Sequence, residues 1–301
     1  MRSQHGRVLV FLLLLATAGG ALSAPAQTVH VLAEPSPFKD VFVLSLAQDL
    51  PANLRVVDEP DAADLLVALG DAAFTRALGQ EKPLLGVHVS RALSEKAARL
   101  GCQCAAIWAG VSLANQVQLV HTIMPLARRI GVVQGPDSVW PAEAVRGFRG
   151  PVKLELLSVK DTRELGNTLR ENLNHLDAIV LPVDDALLGP DAAKLVLLTS
   201  YRQRRPVFGP DLTFVNAGSV ASYYASGSDL VSEAVQRLRV YADTGEWGAS
   251  AFVSRPSVVV NEHVASSFDM HCRESGALED ALKNAEVSKK PFFAVPKFLK
   301  K

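Results

Sequence analysis

Apolar positions along this chain follow two periods, and the period changes at regular intervals. Thr28 to Ala33 is a short β-branched run that reads as a strand. Ser36 is then a good N-cap and Pro37 suits the first helical position. Phe38, Phe42, Leu46 and Leu50 recur at every fourth residue, the stripe of a helix packed on a sheet. Leu54 to Val57 predicts a second strand, and Asp64 to Leu69 a third that ends in Gly70-Asp71. Asp71 is placed to cap a helix running to Gly79. The strand Leu84 to Val89 ends at Ser90 and is followed by a helix to Leu100, stopped by Gly101. Ala105 to Trp108 predicts a strand. Ser112 caps a helix with Leu113, Val117, Val120 and Met124 on one face, ended by Pro125.

A second series begins at Ile130 to Val133, a strand ending in Gln134-Gly135-Pro136-Asp137-Ser138. Trp140 to Phe148 predicts a helix, Val152 to Val159 a strand, and Asp161 the cap of a helix through Leu165, Leu169 and Leu173. Ala178 to Val183 predicts a strand ending in Asp184-Asp185, Pro190 to Gln203 a helix, Pro206 to Phe208 and Ser219 to Tyr224 strands. Asp229 caps a helix ended by Gly245. Ser257 to Val260 is a late strand, and Val264 onward is helical. Alternating β and α segments imply a parallel sheet covered by helices on both faces. Two such series of similar length imply an α/β protein of two lobes, joined near Pro125 to Arg129. In such sheets ligands bind beyond the carboxyl ends of the strands, so two facing lobes place those ends along a cleft.

The first residues fit neither series. Arg2 and Arg7 precede a nearly unbroken apolar run, Val8 to Ala16, roughly nine residues long and so within the ~7–15 of a secretion signal. Ala24-Pro25-Ala26 offers a cleavage site before Gln27, with Ala21-Leu22-Ser23 as a second choice. The run is short of the ~20 residues a membrane-spanning helix needs, and no stop-transfer flank follows, which speaks against an uncleaved anchor. The expected location is the bacterial periplasm. Lys and Arg total 31, as do Asp and Glu. Without Arg2 and Arg7 the balance is about −2, which argues against nucleic acid as a partner. Three cysteines are present. Cys272 can bridge to Cys102 or Cys104, the pair can join His271 and Cys272 in a zinc site of unusual spacing, or the thiols stay unpaired.

The common catalytic signatures are missing: no phosphate loop, no G-x-G-x-x-G after the first strand, no G-x-S-x-G and no H-E-x-x-H. His88 lies inside a predicted strand and reads as a packed or pleat-facing residue rather than a base. What remains is a set of polar residues at strand ends. They are Glu34, Gly70, Asp71, Ser90, Gln134, Asp137, Ser138, Asp184, Asp185 and Tyr223, with Asp211 and Tyr224 in similar positions. Together they suit a polar lining for a ligand. Helix N-termini there offer N–H groups to an anion, Asp184 can hold an amine, and Tyr223 or Trp108 can stack on an apolar group. No cofactor and no metal site is expected. An exported enzyme using Asp184 or Asp185 as acid or base is a further reading.

Ala178-Ile-Val-Leu-Pro-Val-Asp184, Arg205-Pro-Val-Phe-Gly-Pro-Asp211, Phe214-Val-Asn-Ala-Gly-Ser219, Ala221-Ser-Tyr-Tyr224 and Val258-Val-Val-Asn261 follow one another in order. In the first half, Asp64-Leu-Leu-Val-Ala-Leu-Gly70 precedes Ala72-Ala73. This ordered set resembles the substrate-binding proteins of ABC transporters, in the branch that includes putative aromatic-amino-acid binders. The resemblance spans Thr28 to Phe268. It implies a type 1 periplasmic-binding-protein fold, two Rossmann-like lobes and a hinge of three crossovers near Pro125–Arg129, Tyr224–Asp229 and Gly248–Arg255. The implied division is a signal peptide over 1–26, one lobe over 27–127 plus 226–248, the other over 128–225 plus 249–284, and a disordered basic tail over 285–301. The implied function is capture of a small polar organic molecule, such as an amino acid, for an inner-membrane ABC permease. The alternative is a ligand-sensing subunit for a membrane receptor or kinase. The chain is expected to be a monomer and not an enzyme. The segment between Val89 and Ala105, with Cys102-Gln-Cys104, and the basic tail depart from the family pattern.

Overall fold

The computed structural model describes residues 26–270 together with Gly276, Leu278 and Leu282. The expected secretion signal, save Ala26, and His271, Cys272 and the basic tail lie outside the described residues. Five strands form the first sheet: β1 (Gln27–Leu32), β2 (Leu54–Val56), β3 (Leu65–Leu69), β4 (Leu84–Val89) and β5 (Cys104–Trp108), in the order β2-β1-β3-β4-β5. All pair in parallel. A parallel sheet is covered on both faces, so its strands read as continuous apolar runs rather than alternations. The Leu-Leu-Val-Ala-Leu run of β3 shows this, with Leu65, Leu66, Val67 and Ala68 all buried.

The first sheet carries α1 (Pro37–Asp49), α2 (Gly70–Ala77) and α3 (Arg91–Arg99), and the long α9 (Gly227–Thr244) returns to it from much later in the chain. Phe42 and Leu46 of α1 pack with Leu230, Ala234 and Leu238 of α9 over Val29, Leu65, Val67, Leu85 and Val87. On the opposite face Phe74 of α2 and Ala97 of α3 cover Leu66, Leu84, Val89 and Ala106.

The second sheet has six strands: β6 (Arg129–Gln134), β7 (Lys153–Ser158), β8 (Ala178–Val180), β9 (Val207–Phe208), β10 (Ala221–Tyr224) and β11 (Ser257–Val260). Their order is β11-β10-β9-β8-β6-β7. Here the expectation of purely parallel pairing is corrected at one edge, since β11 runs antiparallel to β10. One face is covered by α6 (Thr162–Asn172) and α7 (Pro190–Arg202), through Leu165, Leu169 and Val196. The other face carries α4 (Leu113–Ile123), α5 (Ala142–Arg146) and α10 (Glu262–Ser267), with Leu278 and Leu282.

Several local expectations change. The helix after Ser112 belongs to the second sheet: Val117 and Val120 of α4 pack with Ile130, Ala178 and Ala221. The first crossing between sheets therefore comes before α4, at Gly110, and not near Pro125–Arg129. Gly110 has φ +79°, and a Cβ there would meet Val183 of the second lobe at 2.8 Å, so a side chain is disfavoured on both counts. The strand expected to reach Val183 stops at Val180, because Pro182 has no N–H to offer a ladder. The helix expected over Trp140 to Phe148 shrinks to α5, and Trp140 instead donates its indole N–H to the Val111 carbonyl at 2.8 Å. Asp229 is not the cap of α9. Ser226 is, and Asp229 sits three residues on in a reciprocal capping box. A short helix absent from the expected elements, α8 (Leu212–Ala217), is capped by Asp211. Cys102 and Cys104, with Cα atoms 5.3 Å apart, are joined to each other. This removes both from the expected bridge to Cys272 and from the unpaired state.

Candidate functional site

The C-terminal ends of β3, β4, β6 and β8 converge on one cavity of about 320 Å3. Gly70, Asp71, His88, Ser90, Arg91, Ala92 and Ala109 line it from the first lobe, and Pro136, Asp137, Ser138, Val139, Val183 and Asp185 from the second. Each wall is built by a strand that ends and a helix or turn that begins. Ser90 caps α3 by accepting the Leu93 amide at 3.4 Å, which places Arg91 and Ala92 in the helix's first turn at the mouth of β4. Asp71 does not cap α2, as expected of it; its Oδ1 accepts the Ser90 amide at 2.7 Å and so ties the β3 and β4 ends together.

Of the ten strand-end residues expected to touch a ligand, six line this cavity: Gly70, Asp71, Ser90, Asp137, Ser138 and Asp185. The other four do not. Glu34 forms an exposed ion pair with Arg76. Gln134 donates to the Trp140 carbonyl and accepts from Ser158, both at 3.3 Å. Tyr223 is buried within the second lobe, where its main chain exchanges hydrogen bonds with the buried Gln116 of α4 at 2.8 and 3.2 Å.

Asp184 is 2% exposed and points into the second lobe, where it accepts the Leu187 amide at 3.1 Å. Burial pushes its carboxyl above the ordinary range, and the nearby Asp137 charge adds to that. The amides of Leu187, Asp137 and Gly135 pull the other way. The Asp137 and Gly135 amides do so without reaching hydrogen-bond geometry, since Oδ2 has no partner. A Cβ at Gly135 would collide with this carboxylate, so the glycine permits the close approach. Asp184 thus lies in the interior of the second lobe and does not line the cavity.

Among the lining residues that were not expected, His88 and Arg91 carry titratable or charged side chains. The His88 side chain lines the cleft between the lobes, and its backbone has φ +56°. Burial between the walls lowers its pKa, while Asp185, Asp71 and Asp211 oppose the shift. Arg91 lies over the Trp108 ring, 4.8 Å from its centroid, and donates to Glu95 at 2.7 Å. Trp108 is itself held by Ser94 at 2.8 Å and by an edge contact with Phe252, centroids 5.2 Å apart. Neither Trp108 nor Tyr223, the residues expected to stack on a ligand, lines the cavity. The Ser90 cap was a usable signal for Arg91, because the residue after an N-cap opens the helix at the strand end. No comparable signal marks His88.

A second, more open and mostly apolar groove of about 580 Å3 lies between α7 and α8, within one lobe. Among the described residues no group of three or more His, Cys, Asp or Glu is placed to hold a metal ion, and no helix is long and apolar enough to cross a membrane.

No protein-family model matches the chain, and no curated protein matches it. Solved structures do. One is the ABC domain in complex with L-Trp from Streptococcus pneumonia, with 15% identity over 85% of this chain and 98% of that one, TM-score 0.55. Another is the ligand-free, open structure of a substrate binding protein with adhesive properties from Clostridium difficile, with 16% identity over 82% and 96%, TM-score 0.62. A conserved domain protein from Vibrio cholerae matches at 16% identity over 84% and 97%, TM-score 0.55. Two parallel-dominated sheets, strand ends that meet across one cavity, and likeness over more than four-fifths of the chain together give this protein the two-lobed type 1 periplasmic-binding-protein fold.

Proposed function

We propose that this protein captures a small polar organic solute between its two lobes and delivers it to an inner-membrane ABC permease. The observation that carries the reading is the cavity walled by strand ends from both sheets. Its volume is at the small end of the ~300–1,000 Å3 of ligand sites. Asp71, Asp137 and Asp185 suit an amine. Arg91 and the first turn of α3 suit a carboxylate. An amino acid meets both ends. The lining offers no aromatic ring from Phe, Tyr or Trp, so recognition rests on charge and hydrogen bonding rather than stacking.

The lobes are joined where the chain crosses between sheets, at Gly110, after Tyr224 and before Ser257. Closure about such crossings would bury the solute. The reading is of a binder, not an enzyme: Ser90 and Ser138 direct their hydroxyls to the Leu93 amide and the Trp140 carbonyl. The apolar N-terminal run supports export to the periplasm.

The test is thermal unfolding of the purified protein, stripped of carried-over solute by unfolding and refolding, against amino acids that include Trp, Tyr and Phe and against other polar metabolites. A true ligand at a hundredfold over its Kd raises the midpoint by about 5 °C or more. No shift with any solute would count against the reading.

A further inference from the structure

His88 is the least ordinary residue of the cleft. In a regular strand Val87 and Val89 would share a face. Here Val87 packs in the core under α1 and α9, whereas Val89 packs in the opposite core under α2 and α3. The switch is made by a bulge: Val87 pairs with Ile107 and Val89 with the very next residue, Trp108. His88 is the extra residue. Its φ of +56° is uncommon for a residue with a side chain and directs the imidazole to neither core but into the cavity.

The charges around it come from both lobes. Asp71 of α2, Asp185 after β8 and Asp211 at the start of α8 all act on the ring. Asp137 after β6 and Arg91 of α3 line the same cavity. Arg91 is the lining's guanidinium, and it is already shared with Glu95 and the face of Trp108. The cleft therefore presents more carboxylate than cation.

Resting on the binding reading above, we infer that the captured solute carries an ammonium group held by the cleft carboxylates, and that His88 is the specificity-determining residue that makes this binding proton-sensitive. A neutral imidazole leaves Asp71, Asp137 and Asp185 to the solute's ammonium group. An imidazolium takes the place of that group and pairs with Asp71 on its own lobe and with Asp185 across the cleft. No bond is made or broken: one proton bound at His88 opposes one cation bound beside it. Burial between the cleft walls lowers the imidazole's pKa, which favours the neutral, binding-competent ring.

The test is titration calorimetry on the stripped protein at about pH 8 and about pH 5, a range in which His changes charge but Asp and aliphatic ammonium groups do not. The ammonium probes are L-lysine, L-serine and putrescine; glucose is the neutral probe and succinate the anionic one. The measured quantity is the ratio of Kd at the lower pH to Kd at the higher. For an ammonium probe the expected ratio is above one in the parent protein and near one in His88→Asn, whatever the variant's absolute affinity. Asn tolerates a positive φ. If that variant fails to fold, His88→Gly, for which the backbone is unstrained, carries the same comparison.

Binding of an ammonium probe with the same ratio in parent and variant would overturn the role of His88 while leaving solute capture intact. Binding of glucose or succinate alone would overturn the ammonium assignment and again leave capture intact. Binding of no probe, with no shift in the wider thermal screen, would overturn the capture reading itself.

Discussion

Asp184 accepts the Leu187 amide from inside the second lobe, while the next residue, Asp185, lines the cleft. The two are one residue apart, and a turn of the backbone separates a structural carboxylate from a candidate ligand contact. Burial raises the Asp184 pKa. Its sign is therefore opposite to that of most native carboxylates: as pH falls, the folded state takes up this proton before the unfolded chain does. Between the raised value and the ordinary Asp value of about 3.9, acid favours the folded state at this site. Asp184→Asn removes the effect. Urea midpoints measured from neutral pH down to about 4 should show the parent gaining stability relative to the variant. A constant difference would mean that the carboxyl titrates normally. The sequence marks both aspartates as polar residues at a strand end. It carries no sign of which one turns inward, because that depends on how the chain packs around them, including the close approach that Gly135 permits about fifty residues away.

At the scale of elements, α9 shows how a helix serves the junction between lobes. Asp229 accepts from the Ser226 amide at 2.8 Å, the Ser257 amide at 3.0 Å and the Ser257 hydroxyl at 2.8 Å, so the second and third crossings are held together at its first turn. One turn on, the buried Glu233 accepts from the Ser254 amide and hydroxyl at 3.0 and 2.8 Å and from Arg237 at 3.0 Å. Burial alone would raise the Glu233 pKa, but these hydrogen bonds and the Arg237 charge outweigh it and hold the carboxyl below its ordinary value. Glu233→Ala removes the carboxylate partner of Arg237, which is only 14% exposed and keeps just the Ala249 carbonyl, and leaves the Ser254 amide without its acceptor. The expected cost is about 3 kcal/mol, read from urea unfolding. A cost under about 1 kcal/mol would mean that the pair is solvated and incidental. The helix itself was legible in the apolar positions Ala234, Leu238 and Ala242 and in the stop at Gly245. Its association with the first sheet was not, since α1 and β4 lie well over a hundred residues earlier.

For the whole molecule, Trp108 links the cleft to the third crossing: Arg91 lies on its face and Phe252 against its edge. Closure on a solute should disturb this stack. Tryptophan emission should therefore change on ligand binding, and Trp108→Phe should remove most of the change. Trp140, fixed to the Val111 carbonyl, and Trp247, stacked on Tyr241 with centroids 4.1 Å apart, sit away from the lining. An undiminished response in Trp108→Phe would place the moving contact elsewhere. The sequence by itself determined the alternation of strands and helices, the two series and the polar character of the strand ends, because periodicity and capping act over a few residues at a time. Tertiary structure alone decided that α4 joins the second sheet and α9 the first, that β11 runs antiparallel, and that Asp185 rather than Asp184 faces the cleft. It also decided that a bulge turns His88 into the cavity. Each of these depends on contacts between residues far apart in the chain, where hydrophobic burial and the pairing of backbone amides are settled jointly and not residue by residue.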